Sequence, residues 1–217
     1  MSNAEFSPLA QGILDGDTPV VVKEIQRYLA ESATPQSIMD EHLVPAMQEA
    51  GRLFEEGEFF VPELMVSART MQEAMKILNP LLSSSGVQKI GRVAIGTVKG
   101  DFHDIGKNLV AAMLEGGGFE VVDLGIDVSP EQFAEAAQKQ PGTLVAMSAL
   151  LTTTMPQMKK VIEKLEEEGL RGTSKVIIGG APVTEDFAKR IGADGYSDNA
   201  SAAVTLAKSF FVYTGNG

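Results

Sequence analysis

The sequence predicts an α + α/β protein: an N-terminal four-helix bundle followed by a flavodoxin-like, Rossmann-type domain built on a five-stranded parallel sheet. Three observations predict it. Residues 5–82 carry apolar side chains at helical spacing throughout, interrupted only by short turns. From Arg92 onward short apolar runs alternate with helical stretches, the pattern of a parallel sheet with crossover helices. Between the two lies Ser83-Ser84-Ser85-Gly86, a small polar hinge, which sets the expected domains at 1–86 and 87–217.

The first helix is expected over Phe6 to Leu14, ending at the Asp15-Gly16-Asp17 turn. Thr18 as N-cap and Pro19 at the first helical position start a second, which runs to Leu29. Thr34-Pro35 repeats that signal for a third, extending to about Glu55 and tolerating Pro45, with Gly57 as its stop. Val61-Pro62 opens a fourth, whose apolar positions Leu64, Ala68, Met71, Met75 and Leu78 lead up to Asn79-Pro80. Four helices joined by short turns make a bundle.

Beyond the hinge, strands are expected at Arg92 to Gly96, Glu120 to Leu124, Leu144 to Ser148, Lys175 to Ile178 and near Gly195-Tyr196. Helices fill the gaps, at roughly 105–116, 129–139, 155–169, 184–191 and 198–212. Five parallel strands with helical crossovers give the flavodoxin-like topology, whose ligands sit at the C-terminal ends of the strands.

Composition narrows the function. A net charge of −11 argues against a nucleic-acid partner. Residues 1–82 hold 13 acidic and 5 basic side chains, so the acidity is concentrated in the bundle, where a solvated face explains it best. No apolar run is long enough to span a membrane, and the start of the chain carries no signal-like segment, so a cytoplasmic location is expected. With no cysteine, disulfides, iron–sulfur clusters and thiolate zinc sites are excluded. Only His42 and His103 are present, so any metal must arrive largely ligated already; His42 reads as structural or surface.

Three loops at strand ends carry unusual residues. The first, Gly96 to Gly106, leaves a strand and enters a helix, and contains Asp101 and His103 two apart. A carboxylate beside a histidine fixes its tautomer and raises its basicity as a metal ligand. Taken alone, the loop reads equally as a phosphate-binding turn with an incidental histidine. The second, Met147 to Thr154, holds four hydroxyls in seven residues; hydrogen bonding inside a cleft competes there with local turn and helix-cap chemistry. The third, Gly179-Gly180-Ala181-Pro182, permits a close backbone approach.

The run Gly100-Asp101-Phe102-His103-Asp104-Ile105-Gly106 resembles the Asp-x-His-x-x-Gly signature of cobalamin-binding modules, and Gly-Thr-Val-Lys-Gly-Asp-x-His-Asp-Ile-Gly-Lys-Asn resembles the methyltransferase branch more closely than the mutases. The resemblance implies cobalamin as cofactor, with His103 as the cobalt ligand in place of the cofactor's dimethylbenzimidazole and the displaced nucleotide tail buried in the protein. The second loop resembles the family's Ser-x-Leu run at Ser148, Leu150, Thr152 and Thr154. It implies that Ser148 contacts the nucleotide base and that Thr154, a serine in methionine synthase, bonds Asp101. Gly179, Gly180 and Ala181 fall where the family lines the nucleotide tunnel.

The bundle shares in the likeness. Phe54 to Pro62, with Ser67-Ala68-Arg69, resembles the helical cap of methyltransferase corrinoid modules, in which an aromatic at the position of Phe60 shields the upper face of the ring. Met65, Thr70 and Met71 on the next helix are expected to join it, although periodicity alone places Phe60, Met65 and Met71 in a core.

The resemblance implies a corrinoid methyl carrier of one-carbon metabolism, of the kind used in methanogenesis and acetogenesis, non-catalytic alone. It would accept a methyl group on cobalt from a substrate-specific methyltransferase and deliver it to a second methyltransferase, whose acceptor is a thiol or tetrahydrofolate. A corrinoid reactivating protein is a further expected partner. Asp101 is expected to take or give a proton as His103 binds and leaves, and the bundle to swing at the Ser83–Gly86 hinge. The alternative is a cobalamin-dependent sensor.

Overall fold

The computed structural model describes residues 6–84 and 89–211. By contacts the chain divides into two compact units, Met1–Gln88 with Glu115–Gly118, and Lys89–Leu114 with Phe119–Gly217.

In the helical unit, α1 (Pro8–Asp15) is capped by the Ser7 hydroxyl and closed by Gly16 in the left-handed conformation. Helix α2 (Thr18–Ala30) is capped by Asp17, which accepts from the Val20 N–H. The expected cap, Thr18, is already inside the helix, and its hydroxyl lies 3.2 Å from that of Thr70. The expected third helix is one rod with an irregular middle: α3 (Pro35–Ile38), a π-helical turn over Met39–Leu43, and α4 (Val44–Glu55). Proline lacks an N–H and its ring crowds the carbonyl four residues back, and the widened turn ahead of Pro45 relieves that crowding.

Helix α5 (Val61–Ser84) runs straight through Asn79-Pro80, the expected stop. Leu78 and Leu82 flank the proline and are both buried, so the apolar stripe continues past it and outweighs the one lost hydrogen bond. Ser83 and Ser84 of the expected hinge thus belong to a helix; Ser85 and Gly86 lie outside the described residues. Leu9, Ile13, Val21, Ile25, Leu43, Met47, Leu64 and Met71 are buried in this unit.

The second unit carries β1 (Arg92–Thr97), β2 (Glu120–Asp123), β3 (Leu144–Ser148), β4 (Val176–Gly179) and β5 (Gly195–Ser197). All pair in parallel in the order β2-β1-β3-β4-β5. Between them run α6 (Ile105–Gly116), α7 (Pro130–Lys139), α8 (Pro156–Glu167) and α9 (Glu185–Ile191), and α10 (Ala200–Phe211) follows β5.

Successive strand residues point to opposite faces, and the core divides accordingly. Val145, Met147, Val176 and Ile178 pack with residues of α7, α8 and α9, including Phe133, Val161 and Phe187. Leu144, Ala146 and Ile177 pack on the other face with Ala111 and Leu114 of α6, Phe119, and Ala207 of α10. Each fully enclosed Phe or Leu contributes about 1.5–3 kcal/mol relative to exposure. Among the described residues no helix is long and apolar enough to cross a membrane.

Candidate functional site

The connections leaving β1 and β3 go to opposite faces of the sheet, through α6 and α8. A crevice therefore opens beyond the C-terminal ends of these neighbouring strands. Their register sets Thr97 opposite Ser148, and so brings the Asp101–His103 loop beside the hydroxyl-rich loop after β3.

Asp101 is the hub of the site and is fully buried. Its Oδ2 accepts from the N–H of Leu150 at 2.8 Å, the N–H of Leu151 at 3.3 Å and the hydroxyl of Thr154 at 2.7 Å. Its Oδ1 accepts from the N–H of His103 at 3.2 Å and faces the ring Nδ1 at 2.8 Å. Burial alone would raise the Asp101 pKa, but the Thr154, His103 and Leu150 donors outweigh it and hold the carboxyl well below the usual carboxylate range. An ionised Asp101 can only accept, which assigns the ring proton to Nδ1 and leaves a lone pair on Nε2.

The imidazole is half exposed although its partner is enclosed. Nε2 has no partner among the described residues. On the loops at these strand ends large apolar side chains stand in the open: Phe102 is 66 % and Ile105 61 % exposed, and Leu150, Leu151 and Ile126 are exposed too. Exposed apolar groups on the loops that carry a free ring nitrogen suit a broad apolar ligand that carries a metal. Among the described residues no group of three or more acidic or histidine side chains is placed to hold a metal ion. At Gly106 an added Cβ would meet no protein atom within 4 Å, so the start of α6 leaves open space beside the loop.

Sequence reasoning missed the supports of the loop. The Thr97 hydroxyl donates to the His103 carbonyl at 2.8 Å. Asp127, after β2, has φ of 54°. It accepts from the Gly100 N–H at 2.8 Å and the Lys99 ammonium at 3.0 Å, and these two donors hold its carboxyl below the ordinary value. Its own N–H donates to the Asp101 carbonyl at 3.0 Å. Lys107 is buried and bonds both carboxylate oxygens of Asp123, at 2.6 and 2.5 Å, and Oδ1 of Asn108 at 2.7 Å. Gly-Ile-Asp after a strand is a turn signal for Asp127, but nothing local marks its partner 27 residues back.

The remaining expected residues fall as follows. Asp104 is exposed and its carboxylate accepts from Asn108 at 3.3 Å. Ser148 is half-buried at the end of β3, where its carbonyl accepts the Val98 N–H; Thr152 is exposed. Thr154 is not a helix cap, since α8 begins with no side-chain cap. Gly180 has φ of 127°, and a Cβ there would lie 2.0 Å from the Ala149 carbonyl oxygen. The close approach expected at Gly179-Gly180 is thus met by the protein's own backbone, with Ala181 exposed beside it.

In the helical unit Phe60 is exposed and Met65 partly so, whereas Thr70 and Met71 are enclosed. Neither of these two presents open surface; Met71 follows the periodicity of its helix, and Phe60 departs from it. His42 lies in the π-helical turn, 3.0 Å from the Ser7 hydroxyl and stacked on Tyr28 at 4.6 Å, as a structural residue.

Residues 91–205 match a family profile described as a B12 binding domain, and residues 6–79 match a second profile of the same description. Dimethylamine corrinoid protein 3 of Methanosarcina acetivorans is 40% identical over 204 residues, covering 94% of this chain and 95% of that protein. A solved cobalamin-binding protein from Desulfitobacterium hafniense is similar with a TM-score of 0.75 and 34% identity, over 93% of this chain and 96% of that one. A chain of the methanol:cobalamin methyltransferase complex MtaBC from Methanosarcina barkeri is similar with a TM-score of 0.82 and 34% identity, over 95% of this chain and 79% of that chain.

Proposed function

The chain belongs to the B12-binding corrinoid proteins of methyltransferase systems, with cobalamin as its cofactor, and from that premise we propose that it is a methyl carrier that holds cobalamin base-off with His103 as the lower ligand. The observation that carries this reading is the Asp101–His103 pair: a fully buried carboxylate 2.8 Å from Nδ1 of an exposed ring whose Nε2 is free. Cobalt in the corrinoid supplies the chemistry, taking up a methyl group as a nucleophile and yielding it to another nucleophile.

The chain's own residues prepare the ligand. Asp101 keeps a proton on Nδ1, and thereby keeps the Nε2 lone pair available. Thr154, Leu150 and Leu151 keep Asp101 ionised, as a buried acceptor and counter-charge behind the ring. The exposed Phe102, Ile105, Leu150 and Leu151 offer the apolar contact that a corrin ring needs.

The carrier works between two enzymes: a substrate-specific methyltransferase that loads it and a second methyltransferase that unloads it, with a corrinoid reactivating protein as further partner. The relatives named for dimethylamine and the methanol complex favour a methylated amine or methanol as donor. They also favour the carrier over a cobalamin-dependent sensor.

Reconstitution with hydroxocobalamin tests the reading. The absorption spectrum should report histidine-ligated cobalt in the wild type and water-ligated cobalt in His103→Ala. Identical spectra would remove His103 from the cobalt, and failure to retain the corrinoid would remove the reading altogether.

A further inference from the structure

The loop that carries His103 is held from two sides. The loop after β3 grips the Asp101 carboxylate, and the loop after β2 grips the backbone just before it. On the second side three bonds converge from one residue: Asp127 Oδ1 on the Gly100 N–H at 2.8 Å, Oδ2 on the Lys99 ammonium at 3.0 Å, and its N–H on the Asp101 carbonyl at 3.0 Å. Asp127 makes them from a left-handed backbone, φ 54°, a conformation that costs a non-glycine residue free energy, less for Asp than for most. Gly100 is also left-handed, φ 80°. A residue held in an unfavourable conformation by bonds directed at the ligand loop points to a role in that loop.

We propose that Asp127 is a positioning residue for the cobalt ligand: by clamping Lys99, Gly100 and the Asp101 carbonyl it fixes the main chain from which Asp101 and His103 project. The proposal rests on the reading of His103 as the ligand. Asp101 can aim the imidazole only if its own backbone is fixed. Its carboxylate is tied to the loop after β3 and the His103 carbonyl to Thr97; the Asp127 side chain adds the hold on Lys99 and Gly100, and its loss loosens the chain entering Asp101 and lets the His103 ring drift from its direction.

Three substitutions separate the parts of the clamp. Asp127→Gly keeps the left-handed backbone at no steric cost and removes both side-chain bonds. Asp127→Asn keeps an acceptor for the Gly100 N–H and loses the charge pair. Lys99→Met removes only the ammonium. Apo melting curves establish that each variant folds, and hydroxocobalamin is titrated into the full chain while the cobalt spectrum is recorded.

Asp127→Gly is expected to bind about tenfold more weakly and to show a smaller share of histidine-ligated cobalt; Asp127→Asn recovers most of both. The deciding readout is a second background. In His103→Ala, Asp127→Gly should cost nothing further, because the clamp acts through the ligand. An equal loss in both backgrounds would mean that Asp127 supports the pocket at large, and wild-type behaviour would mean that it positions nothing; either overturns the proposal. Should Asp127→Gly not fold, Lys99→Met decides: a weaker loss confined to the His103 background supports the clamp, and no loss overturns it. If wild type and His103→Ala have the same spectrum, the ligand assignment has failed, and the proposal falls with it.

Discussion

His103 Nδ1 lies 2.8 Å from Oδ1 of Asp101, and the two side chains sit on opposite sides of the surface: the carboxylate is fully buried and the imidazole is half exposed. The carboxylate is thus fixed by the protein while the ring it orients faces outward. The direction of Nε2 is set from below the surface.

Asp101→Asn tests what the charge contributes. An amide presents one oxygen and one NH₂ group, but all five partners of Asp101 are donors or, at Nδ1, a ring nitrogen that now donates. If the NH₂ turns to the ring, Nδ1 must accept, and the proton moves to Nε2. If it turns to Thr154, it opposes the Leu150 and Leu151 N–H groups. Histidine ligation of hydroxocobalamin should fall about 10–100-fold, read as the share of water-ligated cobalt in the absorption spectrum. A wild-type spectrum would show that the tautomer is set by something other than Asp101.

Thr154→Val and Thr154→Ser separate the hydroxyl from the shape. Valine fills the same volume and withdraws one of three donors from the buried Oδ2. The cost is about 1–3 kcal/mol of stability, measured as a lowered denaturant midpoint of the apo-protein. Serine keeps the donor and should stay within about 1 kcal/mol of wild type. A larger loss in serine than in valine would instead place the contribution of Thr154 in its methyl group, which would lie 3.9 Å from a Cβ at Gly100.

The contrast between strands and supports shows what the sequence can carry. The three central strands β1, β3 and β4 are legible as runs of buried apolar residues, the edge strands β2 and β5 through the alternation with helices, and the observed ends lie within one residue of expectation. The ligand loop is legible because Asp101 and His103 are two residues apart, so the pair is a local pattern. Thr154 reaches Asp101 from 53 residues away, and only the family likeness connects them. Asp127 and Lys107 have neither advantage: Asp127 reaches Gly100 across 27 residues and Lys107 reaches Asp123 across 16, and a single Asp in a loop or Lys on a helix resembles any solvated charge. Pro80 misleads for a different reason, since a helix whose apolar face is buried on both sides tolerates one missing N–H.

Asp194 gives the sheet unit an acid-sensitive tie away from the ligand. It accepts from Arg171 at 2.6 Å, Lys175 at 3.0 Å and the Val176 N–H at 2.8 Å. Burial raises its pKa, but Arg171 and the other two donors outweigh it, so the folded-state value lies below that of the unfolded chain. A depressed carboxyl stabilises the fold fully above its unfolded pKa, near 4, and loses that contribution as pH falls through the folded value. Chemical denaturation of the apo-protein should therefore show stability declining below about pH 4. Asp194→Asn should be less stable at pH 7 and show a shallower decline. Parallel curves for the two proteins would assign the acid loss to other carboxylates.

Gly180 and Gly106 make opposite predictions although both stand at strand or helix ends beside the site. At Gly180 a methyl would meet the Ala149 carbonyl oxygen at 2.0 Å, from a φ of 127° that side chains rarely adopt. Backbone must move to admit it, so Gly180→Ala should cost at least about 3 kcal/mol and yield little folded protein. At Gly106 no protein atom lies within 4 Å of the added Cβ. Gly106→Ala should melt at or slightly above the wild-type temperature, by about 0.5 kcal/mol of stability, since alanine restricts the unfolded chain more than glycine does. Yet if the corrin lies over the start of α6, the same methyl intrudes on it, and hydroxocobalamin affinity should drop while the apo-protein stays intact. A Gly106→Ala protein that keeps wild-type affinity would show that the ring lies clear of the start of α6, with its apolar contacts drawn from the loops.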